Sequence, residues 1–417
     1  MNTQHRLRPV LAACTFFLLS AVHAGQVLTV AVFPKLDEAV KLALPAWQKL
    51  HPDVRINLAT LGYADHHNRL VTQLAGKSGV PDLVGIEANY LGRFKAAGVL
   101  TDLTAPPYLA ARLRPLFVHY AFEQATTGKA IYALPADIGP GTLFYRKDVL
   151  DRAGLREADL TTSWEGMLAA GRKLKAATGQ YLLANAHDMK NLYLRANTAE
   201  GEGIYFDHNG RPAVTSARFI KAFELARTVR KEGLDARVTP WTNEWTAMLR
   251  SGKVATVPSG SWFAGQLESW AAPNTGGQWR AAPLPAQRNA AWGGSFYAIP
   301  AQAANKQLAW EFMQLLSADS KIQLAAWQAP ALQAFPALNS AMQDAYVDAP
   351  MPFFGGQPAR KLWRNAAQAT PATRLDRNDP LAEEQVNAAL DAVLFNDKDI
   401  RAALADAQKQ IELRLRQ

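Results

Sequence analysis

Apolar and polar positions along the first third of the chain switch between two periods. Residues 26–33 (QVLTVAVF) form a short, nearly continuous apolar run, which predicts a buried strand. Leu36, Val40, Leu44, Trp47 and Leu50 then recur at helical spacing, and residues 54–61 return to a β-rich run, so the three segments predict a βαβ unit. Helical spacing over 68–74 and a short strand over 82–86 repeat the alternation, which favours a mainly parallel sheet covered by helices on both faces. Residues 131–135 and 142–146 are predicted as two strands separated by a turn at Ile138-Gly139-Pro140-Gly141, where the chain crosses between lobes with Asp137 at the crossing.

Beyond the crossing, Thr162-x-x-Glu165 has the form of a capping box in front of Trp164, Leu168 and Leu174, and Gly179 supplies the stop. Residues 254–257 predict a strand that breaks at Pro258-Ser259-Gly260-Ser261 and resumes as a helix through Trp262, Leu267 and Trp270. That order of strand, tight turn and helix start places Trp262 at the edge where open α/β sheets bind ligands. A further strand is expected over 295–299, after Trp292-Gly293-Gly294, and the Pro-, Gly-, Asn- and Gln-rich stretch 273–289 is the expected return crossing. Toward the C-terminus, Val386, Leu390 and Leu394 share one helix face and Ile400, Leu404, Ala407 and Ile411 another, both read as core. The chain shows no internal repeat and no low-complexity segment.

Length and composition bound the rest. With 417 residues, 49% of them hydrophobic and 19% charged, the chain is long enough for two packed domains and too apolar for dominant disorder. Residues 1–24 stand apart: Arg6 and Arg8 precede an apolar run over 10–22, and Val22-His23-Ala24 offers the small residues of a signal-peptidase site, so cleavage is expected between Ala24 and Gly25. The run is shorter than the roughly 20 residues of a spanning helix, and no later segment approaches that length. Cys14, the only cysteine, lies in this segment; its apolar run mostly follows it, the wrong side for a lipidation site. The mature chain therefore has no disulfide and no thiol chemistry, which fits a bacterial periplasm. Losing Arg6 and Arg8 lowers the formal charge from +9 to +7, but the basic residues are scattered, and no nucleic-acid partner is expected.

Several segments together resemble the extracellular solute-binding proteins of sugar ABC importers, the family of maltose-binding protein. They include Pro81-Asp82-Leu83-Val84, Ala97-Gly98-Val99-Leu100-Thr101-Asp102-Leu103 and Lys129-Ala130-Ile131-Tyr132-Ala133-Leu134-Pro135. The most specific is Leu143-Phe144-Tyr145-Arg146-Lys147-Asp148 with Ala153-Gly154-Leu155 and Thr162-Ser163-Trp164-Glu165. Ser251-Gly252-Lys253-Val254-Ala255, Gly260-Ser261-Trp262, Gly293-Gly294-Ser295 with Ala298-Ile299-Pro300, and Asn305-Lys306 with Ala309-Trp310-Glu311-Phe312-Met313 follow, so the likeness spans nearly the whole mature chain. Arg146 departs from the Asn usual in the Tyr-Asn-Lys-Asp tract, which implies a changed lobe surface. The resemblance implies a two-lobed α/β periplasmic-binding-protein fold, two mainly parallel sheets joined by hinge crossings. The expected lobes are 25–136 with 285–340 and 137–284 with 341–417. It further implies an inter-lobe cleft, a monomer, and an ABC permease as membrane partner.

A sugar has faces of C–H groups and a rim of hydroxyls, so its site needs flat aromatics together with carboxylates and amides. Eleven Trp residues supply the first. The resemblance places Trp262 where related proteins stack a sugar ring and Asp137 where an acidic residue accepts hydroxyl hydrogen bonds, stronger when the acceptor is ionised. Trp241 lies in the looser part of Pro-Trp-Thr-Asn-Glu-Trp, with Trp245 as a helix anchor, and Trp292 abuts Gly293-Gly294-Ser295, where Gly294 and Ser295 bring backbone amides close to a ligand. Lys35, Tyr63, Glu87 and Asn89 follow strand ends; Trp327, before Pro330, and Phe354, before Gly355-Gly356, complete the candidates. His66 and His67 are read as a solvated helix start, because adjacent residues point apart and no third metal ligand is suitably spaced. No catalytic residue, metal or cofactor is expected. Three alternatives stand beside a sugar ligand: a polyamine, anion or chelated iron in the same fold; a glycosidase using Asp137 and Glu244; and a chemoreceptor partner.

Overall fold

The first apolar run forms β1 (Gln26–Val32), and the next β-rich runs form β2 (Val54–Thr60) and β3 (Leu83–Glu87). The computed structural model describes residues 26–330, 332 and 334–416, so the expected signal peptide at 1–24 lies outside the described residues. A small hairpin pairs β4 (Thr126–Thr127) with β5 (Ala130–Ile131); β6 (Ala133–Arg146), β7 (Thr256–Gly260), β8 (Trp279–Ala282) and β9 (Ala291–Ala298) follow. β1 pairs in parallel with both β2 and β3, as helical crossovers require. The seven-stranded sheet has the order β2-β1-β3-β9-β6-β7, with β8 also on β6.

β6 corrects the sequence reading. Ile138-Gly139-Pro140-Gly141 does not turn; the chain continues as one strand of 14 residues. Its first part pairs antiparallel with β9, from Ala133↔Ala298 to Pro140↔Ala291, and its last part with β7 and β8. Register irregularities between Pro135 and Asp137 and between Ile138 and Pro140 absorb prolines that cannot donate to the ladder. Gly139 is required by close approach rather than by a turn: a Cβ there would collide with the Trp292 carbonyl oxygen and the Trp262 ring. The stretch 273–289 carries β8 beside β6, and the return passage is β9, which starts at Ala291 rather than at residue 295. Two antiparallel strands thus run from one lobe into the other.

Helices close each lobe. Leu36–Leu50, Lys306–Ala318 and Ser320–Gln328 bury Val40, Trp47, Phe312 and Trp327 in a core that also holds Leu28, Val30 and Val32 of β1. Tyr63–Gly76 and Ala88–Ala96 cover the other face through Leu70, Leu74, Leu91 and Phe94. Further along, β6 alternates: Leu143 and Tyr145 enter a second core, while Phe144 joins the cluster that holds Leu28, Val30 and Val32. This second core is built from Trp164–Thr178, Ala186–Ala196 and Ala217–Lys231 with the C-terminal helices Asp379–Asn396 and Ile400–Leu415. Each large apolar side chain buried this way contributes about 1.5–3 kcal/mol relative to exposure. No helix among the described residues is long and apolar enough to cross a membrane.

Two motif positions act as internal braces. Asp82 accepts hydrogen bonds from the Thr29 and Asn305 N–H groups, both at 2.9 Å, tying β1 to the residue that precedes Lys306–Ala318. Arg146 is not at the lobe surface as expected: its side chain is 4% exposed, grips Asp148 at 2.8 Å and donates to the Leu249 carbonyl at 2.8 Å. Gln278 and the face of Trp279 complete its surroundings.

Gly139→Ala should destabilise the protein by about 1–3 kcal/mol through overpacking at the crossing. A lower urea midpoint with an unchanged slope is the expected reading, and parental stability would contradict the close approach described.

Candidate functional site

A cleft of about 710 Å³, within the usual size of small-molecule sites, opens beside the β6–β9 crossing. Lys35, Tyr63, Glu87, Asn89, Asp137, Trp241, Trp262, Trp292, Gly294 and Ser295 all line it. Trp327 and Phe354 do not, and both expectations are corrected. Trp327 is 2% exposed and packs edge-on against Phe335 and Tyr346, while Phe354 is fully buried against Phe144 and Trp363. The apolar surface of these two rings is consumed by the core.

One wall of the cleft is aromatic. Trp262 follows β7 and lies over Gly139 and Gly260, positions where a Cβ would strike its ring. Its indole N–H donates to the Trp292 carbonyl at 2.7 Å, so the ring's one polar group is satisfied internally and its orientation is fixed. Trp241 stands beside it at 6.0 Å and 22°, 55% exposed, with a left-handed backbone (φ 71°) that is rare for a bulky residue. Trp245, 2% exposed, anchors the helix Asn243–Ser251 as expected. Trp270, which the sequence offered only as a helix position, is 42% exposed and extends the wall 6.4 Å from Trp241.

The cleft also holds a polar cluster. Glu87 ends β3 and caps Ala88–Ala96: one carboxylate oxygen accepts from the Asn89 N–H at 2.8 Å and from the Tyr63 hydroxyl at 2.9 Å. The Glu87 N–H in turn donates to His67 Nε2 at 3.1 Å. Because Nε2 accepts, Nδ1 carries the proton of a neutral His67 and donates to the Tyr63 carbonyl at 2.7 Å. His66 and His67 are therefore not a solvated helix start; they are 2% and 0% exposed, and His66 donates from Nε2 to the Gly85 carbonyl. The helical phase shared by His66, His67, Leu70 and Leu74 is the signal that marks this inward face. No group of three His, Cys, Asp or Glu side chains among the described residues is placed to hold a metal.

Across the sheet, Asp137 on β6 accepts hydrogen bonds from the hydroxyl and the N–H of Ser295 on β9. Burial pushes its carboxyl up to about 6 against those bonds. Burial pushes Glu87 up to about 7, with the Asn89 and Tyr63 hydrogen bonds and Arg195 opposing and the Asp137 charge adding to the rise. Burial likewise lowers His67 to about 4, so it is neutral at physiological pH. Arg195, on Ala186–Ala196, was not anticipated: it lines the cleft and lies 5.1 Å from the Trp292 ring centroid. Only the packed helix brings it within electrostatic reach of Glu87. Lys35, also with a left-handed backbone (φ 81°), sits at the cleft edge before Leu36–Leu50.

Residues 43–352 match the profile of a family described as bacterial extracellular solute-binding protein. A lactose-binding protein of Rhizobium radiobacter is 28% identical, over 86% of this chain and 85% of that protein. An arabinooligosaccharide-binding protein of Bacillus subtilis is 26% identical, over 73% and 72%. Among solved structures, an extracellular solute-binding protein of family 1 superposes with a TM-score of 0.81 at 23% identity, covering 93% of this chain and 99% of that one. The sugar-binding protein MalE of Xanthomonas citri superposes at 0.77 with 18% identity, covering 93% and 96%. These likenesses establish the two-lobed fold.

A carboxyl whose folded value is raised supports the fold while protonated and opposes it once ionised, so its contribution is present below about 4.5 and lost as pH rises through about 7 for Glu87. Glu87→Gln keeps the acceptor and cannot ionise. Its stability relative to the parent should therefore improve between pH 5 and pH 8, by on the order of 1 kcal/mol or more, in urea denaturation at the two values. A pH-independent difference would contradict the placement of Glu87 in a desolvated cleft.

Proposed function

The chain belongs to the family of bacterial extracellular solute-binding proteins, and we propose that its cleft captures a carbohydrate outside the cytoplasmic membrane and hands it to an ABC permease. One observation carries the reading: the Trp262 ring, its N–H already bonded to Trp292, lines the same cleft as the carboxylates Glu87 and Asp137. A flat apolar ring beside strong hydroxyl acceptors fits the two kinds of surface a sugar presents. The lactose- and arabinooligosaccharide-binding relatives support the same ligand class.

The balance of charge favours a neutral ligand. A polyamine would meet Arg195 beside the carboxylates, and an anion would meet Glu87 and Asp137; a polyol bonds to both kinds of group without an unpaired charge. Sugar contacts are assigned to Lys35, Tyr63, Glu87, Asn89, Asp137, Trp241, Trp262, Trp292, Gly294 and Ser295, with Arg195 and Trp270 added. Delivery follows closure of lobes 25–136 with 285–340 on lobes 137–284 with 341–417, in a periplasmic monomer exported through residues 1–24. The sugar leaves unchanged and no cofactor takes part. The Glu244 side of the proposed hydrolytic pair is exposed at the start of Asn243–Ser251 and does not line the cleft.

A thermal-shift screen of the mature chain against mono- and oligosaccharides, with putrescine and phosphate as comparators, should raise the melting midpoint for sugars only. For the sugar that binds, Trp262→Ala should weaken affinity at least about tenfold by calorimetry, while product analysis after long incubation returns the sugar intact. Stabilisation by putrescine or phosphate alone, or release of hydrolysis products, would overturn the reading.

A further inference from the structure

A small chamber of about 50 Å³ adjoins the cleft and shares Asn89, Arg195 and Gly293 with it. Asp379 and Glu383, one turn apart on the helix Asp379–Asn396, form its far side. A water needs roughly 10–15 Å³ of such space, so the chamber admits a few waters or one guanidinium head group, and no sugar ring.

The acid in this chamber is incompletely paired. Asp379 Oδ2 accepts the Asp376 N–H at 2.8 Å, whereas Oδ1 is buried with no hydrogen-bond partner among the described residues. A buried acceptor without a donor is costly, which favours any donor able to reach it. Burial pushes this carboxyl up to about 7 against the Asp376 hydrogen bond; the Asp376 and Glu383 charges add to the rise and Arg195 opposes it.

The base beside it is incompletely paired as well. Arg195 carries five N–H donors and a permanent charge. Among the described residues it makes one long hydrogen bond, 3.4 Å to the Ala291 carbonyl, and its head lies 5.1 Å from the Trp292 ring centroid. It is within electrostatic reach of both Glu87 in the cleft and Asp379 in the chamber. The other cations near the acid are engaged. Lys95 holds the Gln124 and Thr126 carbonyls at 2.6 and 2.8 Å, and Arg374 donates to the His208 carbonyl at 2.6 Å. Tyr205, buried and neutral, completes the titratable groups around Asp379.

Resting on the carbohydrate reading above, we infer that Arg195 has two seats, one in the cleft beside Glu87 and one in the chamber against Asp379 and Glu383. Asp379 is then a positioning residue. Protonated, it leaves Arg195 in the cleft to donate to sugar hydroxyls; ionised, it draws the guanidinium back and weakens sugar binding. A proton held outside the cleft thereby sets the affinity inside it. Glu87 ionises over a similar range and pulls the other way, so the effect of Asp379 is read as the difference between the parent and Asp379→Asn, which share Glu87.

Calorimetry on the mature full-length chain, with lactose and arabinotriose as probes, tests this at pH 5.5 and pH 8.5. Asp379→Asn should bind like the parent at pH 5.5 and at least about threefold more tightly at pH 8.5. Asp379→Glu should restore the parental pH profile, and in an Arg195→Gln background Asp379→Asn should change affinity at neither pH. The ligand-free chain gives a second readout: the Arg195 Nε–Hε resonance, assigned with Arg195→Lys, should coincide in parent and Asp379→Asn at pH 5.5 and differ at pH 8.5. Asp379→Ser replaces Asp379→Asn if circular dichroism shows that the latter fails to fold. An effect of Asp379→Asn equal at both pH values, or one that persists without Arg195, overturns the positioning role. Coincident resonances at both pH values overturn the second seat. Absence of binding to every sugar in the wider screen overturns the carbohydrate reading, and the resonances then decide the second seat by themselves.

Discussion

The contact on which the rest of the structure depends is the hydrogen bond from the Trp262 indole to the Trp292 carbonyl, made across the bare backbone of Gly139 and Gly260. It is worth only about 1 kcal/mol as a bond, yet it joins the end of β7 to β9 where β6 and β9 pass between the lobes. Any side chain at Gly139 or Gly260 would push the ring away. The surface offered to a ligand and the strands that connect the lobes are thus built from the same atoms, so movement of one lobe against the other carries the ring with it.

Sharing the cleft with that ring is a network assembled before any ligand arrives. His67 fixes the backbone of Glu87, Tyr63 and the Asn89 N–H fix its carboxylate, and Ser295 holds Asp137. Preorganised acceptors spare a ligand the cost of ordering them, and a cleft that desolvates two carboxylates can recover their lost hydration through hydroxyl groups. Arg195 tempers the negative potential from the second lobe, which leaves a site suited to polar but uncharged molecules.

The parts of this arrangement legible in the sequence were those with a local cause. Trp262, Tyr63 and Glu87 follow apolar runs whose period announces strands, and strand ends are where such sheets bind. The failures were equally physical. Gly139-Pro140 has the chemistry of a turn, but pairing with β9 on one side and β7 on the other keeps β6 extended. Trp327 and Phe354 have loop-like neighbours, and only the packing of Tyr346 and Trp363 against them reveals core positions. Arg195 looks like any helical arginine until the helix is docked beside Trp292. The buried histidine pair was visible in helical phase with Leu70 and Leu74, a signal outweighed by the polarity of the residue type.

The most direct test of the account is a crystal structure of the mature chain with a sugar that stabilises it in solution. The account predicts a closed cleft with a sugar ring against the Trp262 face and hydroxyls donating to Glu87 and Asp137. A sugar bound elsewhere on the surface, with this cleft open and filled by solvent, would contradict it.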